Sequence, residues 1–230
     1  GSRKLTRRRL QRARTAVAIR ENVLGIVRRI GLDKVGVLTL TFAERLTDRK
    51  EAQRRFASLR TGVLAKRYRG YLRVYERYGD GSIHYHVLVP MSGDIRTGYQ
   101  EPTTPRGQYQ ANELLRAEWA FLRETLPGYG FGRSEMEPVR ESPEQLANYL
   151  AKSQEDEDPV RSMQDERVRV LEVSRSLRVA NTRFSFVSYG SRQWRRKVGA
   201  LITDLIAAGE LPPGSGLDAL TTLFGPAWAL

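Results

Sequence analysis

Apolar positions along the chain follow two periods, and the changes between them mark the elements. From residue 6 to 30, Leu10, Val17, Leu24 and Val27 recur near helical spacing with arginines between them, which predicts a helix stopped at Gly31. Residues 35–42 (VGVLTLTF) are apolar and rich in β-branched types, as a strand requires. Thr47-Asp48 offers an N-cap to a helix over 48–66. Residues 71–78 and 82–90 read as the strands of a hairpin turned by Gly79-Asp80-Gly81. A long loop follows over 91–108, then a helix over 112–125 with Leu114, Leu115, Trp119 and Leu122 as its apolar stripe. A further strand lies within 128–139. Ser142, with Pro143 behind it and Glu144-Gln145 next, opens a helix that carries Leu146, Tyr149, Leu150 and Lys152.

The C-terminal third is less regular. Residues 155–158 are all acidic and end at Pro159, which reads as a solvated loop. Strands are expected over 168–173 and 183–187, and a basic helix over 191–205. The tail from 212 to 230 is Gly/Pro-rich, then apolar, and is expected to pack back on the body. After the first helix the order is β, α, β-hairpin, α, β, α, β. A tight hairpin amid alternating helices and strands predicts an α+β domain, an antiparallel or mixed sheet with helices on it. The expected organisation is a basic helical extension over 1–31, a central domain over 32–190 and a helical extension over 191–230.

Charge narrows the function. The 230 residues hold 39 basic against 26 acidic side chains, a formal charge of +13, and only six of the basic residues are lysine. Such a surplus points to a polyanion, nucleic acid first. The chain has no cysteine, which excludes disulfides, thiolate zinc sites and a thiol nucleophile. No apolar run approaches the ~20 residues that span a bilayer, so an intracellular, cytoplasmic protein is expected. Gly1-Ser2 resembles the scar of a removed tag.

The chain has two histidines, His84 and His86, two apart in IHYHVLV. On a strand this spacing puts both imidazoles on one face, a natural chelate for a divalent cation; the plainer alternative is two satisfied histidines. A third ligand depends on the hairpin. With a three-residue loop and Gly81 left-handed, Tyr78 faces Ser82 and Glu76 faces His84, so Glu76 joins the imidazoles. A two-residue Asp80-Gly81 turn would send Glu76 to the other face.

No third histidine is present to activate a serine or threonine. Tyr149 and Lys152, three apart on the fourth helix, share a face, and Gln145 joins it from one turn earlier. A phenol is a weak nucleophile until its proton leaves, and a nearby ammonium favours that loss. Most Tyr-x-x-Lys pairs are a packed tyrosine and a solvated lysine, so this one gains meaning only beside the histidines.

GSIHYHVLV resembles the His-hydrophobic-His motif of HUH endonucleases, and NYLAKS their Tyr-x-x-Lys motif. VLTLTF, with Thr39 and Thr41, resembles the first motif of the Rep-type members, the initiators of rolling-circle replication. The order of threonine strand, His pair and tyrosine helix is theirs, and the resemblance spans about residues 35–153. It implies a ferredoxin/RRM-like fold with a five-stranded antiparallel sheet. It implies Glu76, His84 and His86 holding Mn²⁺ or Mg²⁺, Tyr149 as nucleophile and Lys152 as the motif lysine. It further implies cleavage of a single-stranded or hairpin origin, leaving a 5′-phosphotyrosine and a 3′-OH that primes synthesis. Some phage relatives carry two tyrosines on this helix. Here Ser153 stands four residues after Tyr149, leaving a single tyrosine. No G-x-x-x-x-G-K-[ST] occurs, so ATP-driven unwinding is not expected and a host helicase and polymerase would serve.

Candidate DNA contacts are Arg67 and Arg69 around Tyr68, Arg192, Arg195 and Arg196 in RQWRRK, Arg7-Arg8-Arg9, and singly Thr39, Thr41, Arg77 and Gln145. Rings beside arginines suit single strands, where bases stack and cations track phosphates. Three other readings remain at this point: a single-strand transposase of the HUH type, a metal-dependent hydrolase using water, and a non-catalytic nucleic-acid-binding module.

Overall fold

The computed structural model describes residues 2–104, 107–132, 134, 136–154, 168–180, 189–225 and 228. The strand expected over 183–187 and the acidic patch at 155–158 lie outside the described residues. Residues 1–182 form one compact unit and 183–230 a second. The first helix lies within the first unit.

The helix α1 (Ser2–Ile30) ends at Gly31, whose φ of 98° only glycine adopts freely. The strand β1 (Val35–Thr41) follows, then α2 (Arg49–Leu59), capped by the Asp48 carboxylate on the Lys50 amide. The single helix expected over 48–66 instead widens into a π turn at Arg60–Leu64 and resumes over Ala65–Arg67. The extra residue lets Leu59, Val63, Leu64 and Tyr68 all stay buried. Gly62 sits in that turn because a Cβ there would overlap the Tyr129 hydroxyl. The strands β2 (Leu72–Arg77) and β3 (Ile83–Pro90) form the hairpin, and α3 (Glu113–Thr125) is capped by Asn112 on the Leu115 amide. Among the described residues of the stretch 128–139, Met136–Pro138 form a strand, β4. The helix α4 (Pro143–Ala151) and the short strand β5 (Leu171–Val173) complete the unit.

The five strands are ordered β4-β1-β3-β2-β5, every neighbouring pair antiparallel. This is the expected α+β architecture. The central β3 serves both faces by its period of two. Ile83, Tyr85, Val87 and Val89 join Leu38, Leu40 and Tyr75 in a core closed by α2 and α3, through Phe56, Leu59, Leu115, Trp119 and Leu122. On the other face Leu72, Val74, Leu88 and Val173 meet Ile19, Val23 and Ile26 of α1 and Ala147, Leu150 and Ala151 of α4. These two helices cover the apolar half of that face, and the polar half holds the site.

The face under α2 and α3 also holds a buried charge network. Arg73 of β2 is fully buried and donates through Nη2 to Glu172 of β5 (3.2 Å) and to the Arg169 carbonyl (2.9 Å). Glu172 also accepts from Arg60 (3.0 Å) and from the Tyr71 hydroxyl. These bonds tie the short edge strand β5 to β2.

The second unit contains α5 (Tyr189–Ala207) and α6 (Leu217–Phe224), which bury Val198, Leu205, Leu211 and Leu220 between them. Trp194 stacks on Trp228 (ring centroids 6.2 Å), whose indole N–H donates to the Thr221 hydroxyl.

Candidate metal centre and tyrosine helix

The hairpin register left open by the sequence is settled by its loop. Gly81 has φ 85°, its amide donates to the Tyr78 carbonyl (3.0 Å), and the Tyr78 amide donates to the Ser82 carbonyl (2.9 Å). This is the three-residue form, so Glu76 pairs with His84 and Val74 with His86. On the other side of β3, Thr41 pairs with His84 and Thr39 with His86. Glu76, His84, His86, Thr39 and Thr41 therefore share one face.

The three ligand-type side chains converge. One ligand atom from each of Glu76, His84 and His86 lies within 4.8 Å of the others. Glu76 Oε2 is 3.3 Å from His84 Nε2 and 3.1 Å from His86 Nε2. Neighbouring ligands at right angles, each about 2.1 Å from one cation, would stand about 3.0 Å apart, so the spacing fits a shared divalent ion. Burial pushes the Glu76 carboxyl up, but hydrogen bonds from both imidazoles outweigh it and hold it at about 2. It stays ionised, as a cation requires. Two imidazoles and one carboxylate suit Mn²⁺ and related ions and leave positions open to a phosphate oxygen.

Each imidazole is held in its own way. His86 Nδ1 lies 3.2 Å from the Thr39 hydroxyl, so Thr39 serves the metal ligand, a role that the sequence reading did not assign it. His84 has no hydrogen bond at its buried Nδ1 among the described residues. Instead the Tyr78 ring lies flat on it, with centroids 3.9 Å apart and planes 16° apart. Period-two spacing already put Tyr78 on this face, two residues beyond Glu76, and could have singled it out.

Tyr149 reaches the site from α4. Its exposed ring approaches the His86 ring edge-on, with centroids 5.5 Å apart. The helix starts with a full capping box, Ser142 accepting from the Gln145 amide and Gln145 Oε1 accepting from the Ser142 amide. From α1, Arg20 donates to the Asn148 side chain (2.8 Å), and Arg12 donates to the carbonyls of Ser153 (3.4 Å) and Gln154 (3.2 Å). Burial and then the Glu76 charge push the Tyr149 phenol up, with smaller contributions from Tyr78 and Glu137. Lys152 is exposed at the C-cap, one turn beyond Tyr149.

The expected DNA contacts divide. Thr41 is half-buried beside His84, at the site. Arg77 is a correction: it is buried on the opposite face and donates to the Thr47 and Gly81 carbonyls, since the pleat turns it away from its neighbour Glu76. Arg67 is exposed, paired bidentately with Glu118 (2.7 Å at closest) and lying over the Phe121 ring on the α3 side. Gln145 spends its amide oxygen on the cap instead of facing the site. Arg69 is exposed, in a left-handed turn (φ 58°). Arg195 and Arg196 are exposed on α5 of the second unit, and the Arg192 side chain lies outside the described residues. Among the described residues no helix is long and apolar enough to cross a membrane.

No family model matches the chain, and no solved structure matches it. Among curated proteins it is similar to the phasyl DNA replicon protein arp of Escherichia coli. The two are 44% identical over 192 residues, which cover 76% of this chain and 67% of that protein. At that identity and coverage, the chain belongs to the family of this replicon protein.

Proposed function

We propose that the chain is an HUH endonuclease of the Rep type, which nicks and rejoins single-stranded DNA at a replication origin through Tyr149. The observation that carries this reading is the edge-on approach of Tyr149 to His86, one of three convergent metal ligands. The name of its replicon relative and the charge of +13 support the same reading. A divalent cation held by Glu76, His84 and His86 would polarise a phosphate oxygen and draw the scissile phosphate to the open side of the sheet.

The chain's own residues supply the rest. The Tyr149 oxygen attacks phosphorus, the bond to the 3′ oxygen breaks, and the products are a 5′-phosphotyrosine and a 3′ hydroxyl. The phenol gives up a proton and the leaving oxygen takes one up. Glu76 opposes phenolate formation while its charge is uncompensated, so ligation of Glu76 removes part of that barrier. Lys152, exposed one turn along the helix, is a cation that could serve the phosphate or the leaving oxygen. The free 3′ hydroxyl primes synthesis by a host polymerase, with a host helicase opening the duplex. Reversal of the attack rejoins ends. With one tyrosine, termination draws on a second subunit or on water.

The test is an SDS gel of the protein with fluorescent single-stranded DNA and Mn²⁺ or Mg²⁺. An SDS-resistant band that needs metal and vanishes in Tyr149→Phe is the expected result. Cleavage without the band points to a water-using hydrolase. Binding without cleavage across a broad DNA pool overturns the enzyme reading in favour of a non-catalytic module.

A further inference from the structure

Thr39 and Tyr78 both touch metal ligands, and neither is a ligand. A neutral imidazole carries one N–H and one lone pair. For His86 Nε2 to offer its lone pair to a cation, the proton must sit on Nδ1. The only group within hydrogen-bond distance of that nitrogen among the described residues is the Thr39 hydroxyl, at 3.2 Å. A hydroxyl accepts as readily as it donates, so it can receive Nδ1–H and hold the ring in the ligating tautomer. His84 has the opposite surroundings. Its Nδ1 is buried without a hydrogen bond, and its ring plane is held by the Tyr78 ring at 3.9 Å.

We infer that Thr39 and Tyr78 are the positioning residues of the metal centre, Thr39 setting the tautomer of His86 and Tyr78 the plane of His84. Both follow from strand parity. Thr39 is the Cα partner of His86 on β1, and Tyr78 closes the hairpin two residues beyond Glu76 on β2. The central strand is thus flanked by one residue that acts by hydrogen bonding and one that acts by its ring face. Loss of either loosens the metal without removing a ligand. The inference rests on the metal centre alone and not on the tyrosine chemistry.

The experiment is calorimetric titration of the full chain with Mn²⁺. Thr39→Val keeps the shape and removes the hydroxyl, and Thr39→Ser restores it. Thr39→Val is expected to weaken Mn²⁺ about 10- to 100-fold, the range for a lost partner of a ligating imidazole, with Thr39→Ser close to wild type. Tyr78→Leu is expected to weaken the ion and Tyr78→Phe to leave it unchanged, because the ring and not the hydroxyl does the holding. Wild-type affinity in Thr39→Val overturns the role of Thr39. Wild-type affinity in Tyr78→Leu overturns that of Tyr78. If the wild-type chain itself takes up no Mn²⁺, the metal centre fails and both roles with it.

Discussion

Replacing Glu172 by glutamine should destabilise the first unit far more than replacing Glu172 and Arg73 together. Arg73 is fully buried, its guanidinium 5.1 Å from the centroids of both Phe56 and Tyr85, and Glu172 is the carboxylate that pairs with it among the described residues. Burial already pushes that guanidinium pKa down. Glu172→Gln leaves a buried cation without its anion, which costs about 3–5 kcal/mol. Domains are stable by only ~5–15 kcal/mol, so this is a large share. Arg60, the other cation on Glu172, is partly exposed and turns to water at little cost. Arg73→Met with Glu172→Gln removes the stranded charge, fills the space between the two rings and keeps an acceptor for the Tyr71 hydroxyl. The double variant should lie within about 1.5 kcal/mol of wild type.

Urea unfolding followed by Trp119 fluorescence measures this, with Trp194 and Trp228 replaced by phenylalanine so that only the first unit reports. Hydrogen bonding to Tyr71 and the charges of Arg73 and Arg60 outweigh burial and hold the Glu172 carboxyl below its ordinary value. The folded state therefore binds this proton less readily than the unfolded one. The contribution is present above the unfolded pKa, about 4.3, and is lost as pH falls through the lower folded value. Glu172→Gln should flatten the acid limb of stability. A double variant as unstable as Glu172→Gln, or an unchanged acid limb, refutes the account of a buried cation held by one carboxylate.

Other outcomes are expected at the site. His84→Ala and His86→Ala should each lose Mn²⁺ binding and the covalent band, as chelation does in the wild-type chain, by calorimetry and SDS gel. Asn148→Ala removes the acceptor for Arg20 without touching the metal ligands, so it should slow adduct formation about tenfold and leave Mn²⁺ affinity unchanged. Gly81→Val should cost at least the ~1–2 kcal/mol of a left-handed L-residue and weaken Mn²⁺ by disturbing the turn that sets Glu76 against His84.

The site was legible where strand parity decided it. Two histidines two apart fix their common face without any knowledge of the helices, and Glu76 joins them under one of the two turns that the sequence allowed, the one the structure shows. The limits of β1, β2 and β3 followed from apolar alternation, whereas the five-strand antiparallel sheet was what the family resemblance implied; β4 and β5, with three residues each, are too short to carry a period. Charge was less informative. An arginine's sequence neighbours do not say whether its partner is a phosphate, a carboxylate or a carbonyl. Arg77 read as a DNA contact and proved to be buried on backbone carbonyls, while the exposed Arg67 holds Glu118. Gln145 could have been read correctly, since Ser-x-x-Gln at a helix start is itself a capping signature. Thr39 as the partner of His86 needed the pairing of β1 with β3, separated by 47 residues, which no local pattern records.

The anchoring of α4 has a mechanical meaning. The helix has nine residues, too few to hold against a pull by itself, and Tyr149 is the point at which DNA would be attached to it. Its far side is fastened to α1 by Arg12, Arg20 and the packing of Ala147, Leu150 and Ala151. Tension on a strand joined to Tyr149 would pass into a 29-residue helix about 44 Å long, and from it across the sheet. The long first helix thus acts as a spar that spreads force from one side chain over the whole unit. A motor drawing on the DNA would then pull against the body of the protein and not against the short helix that carries the tyrosine.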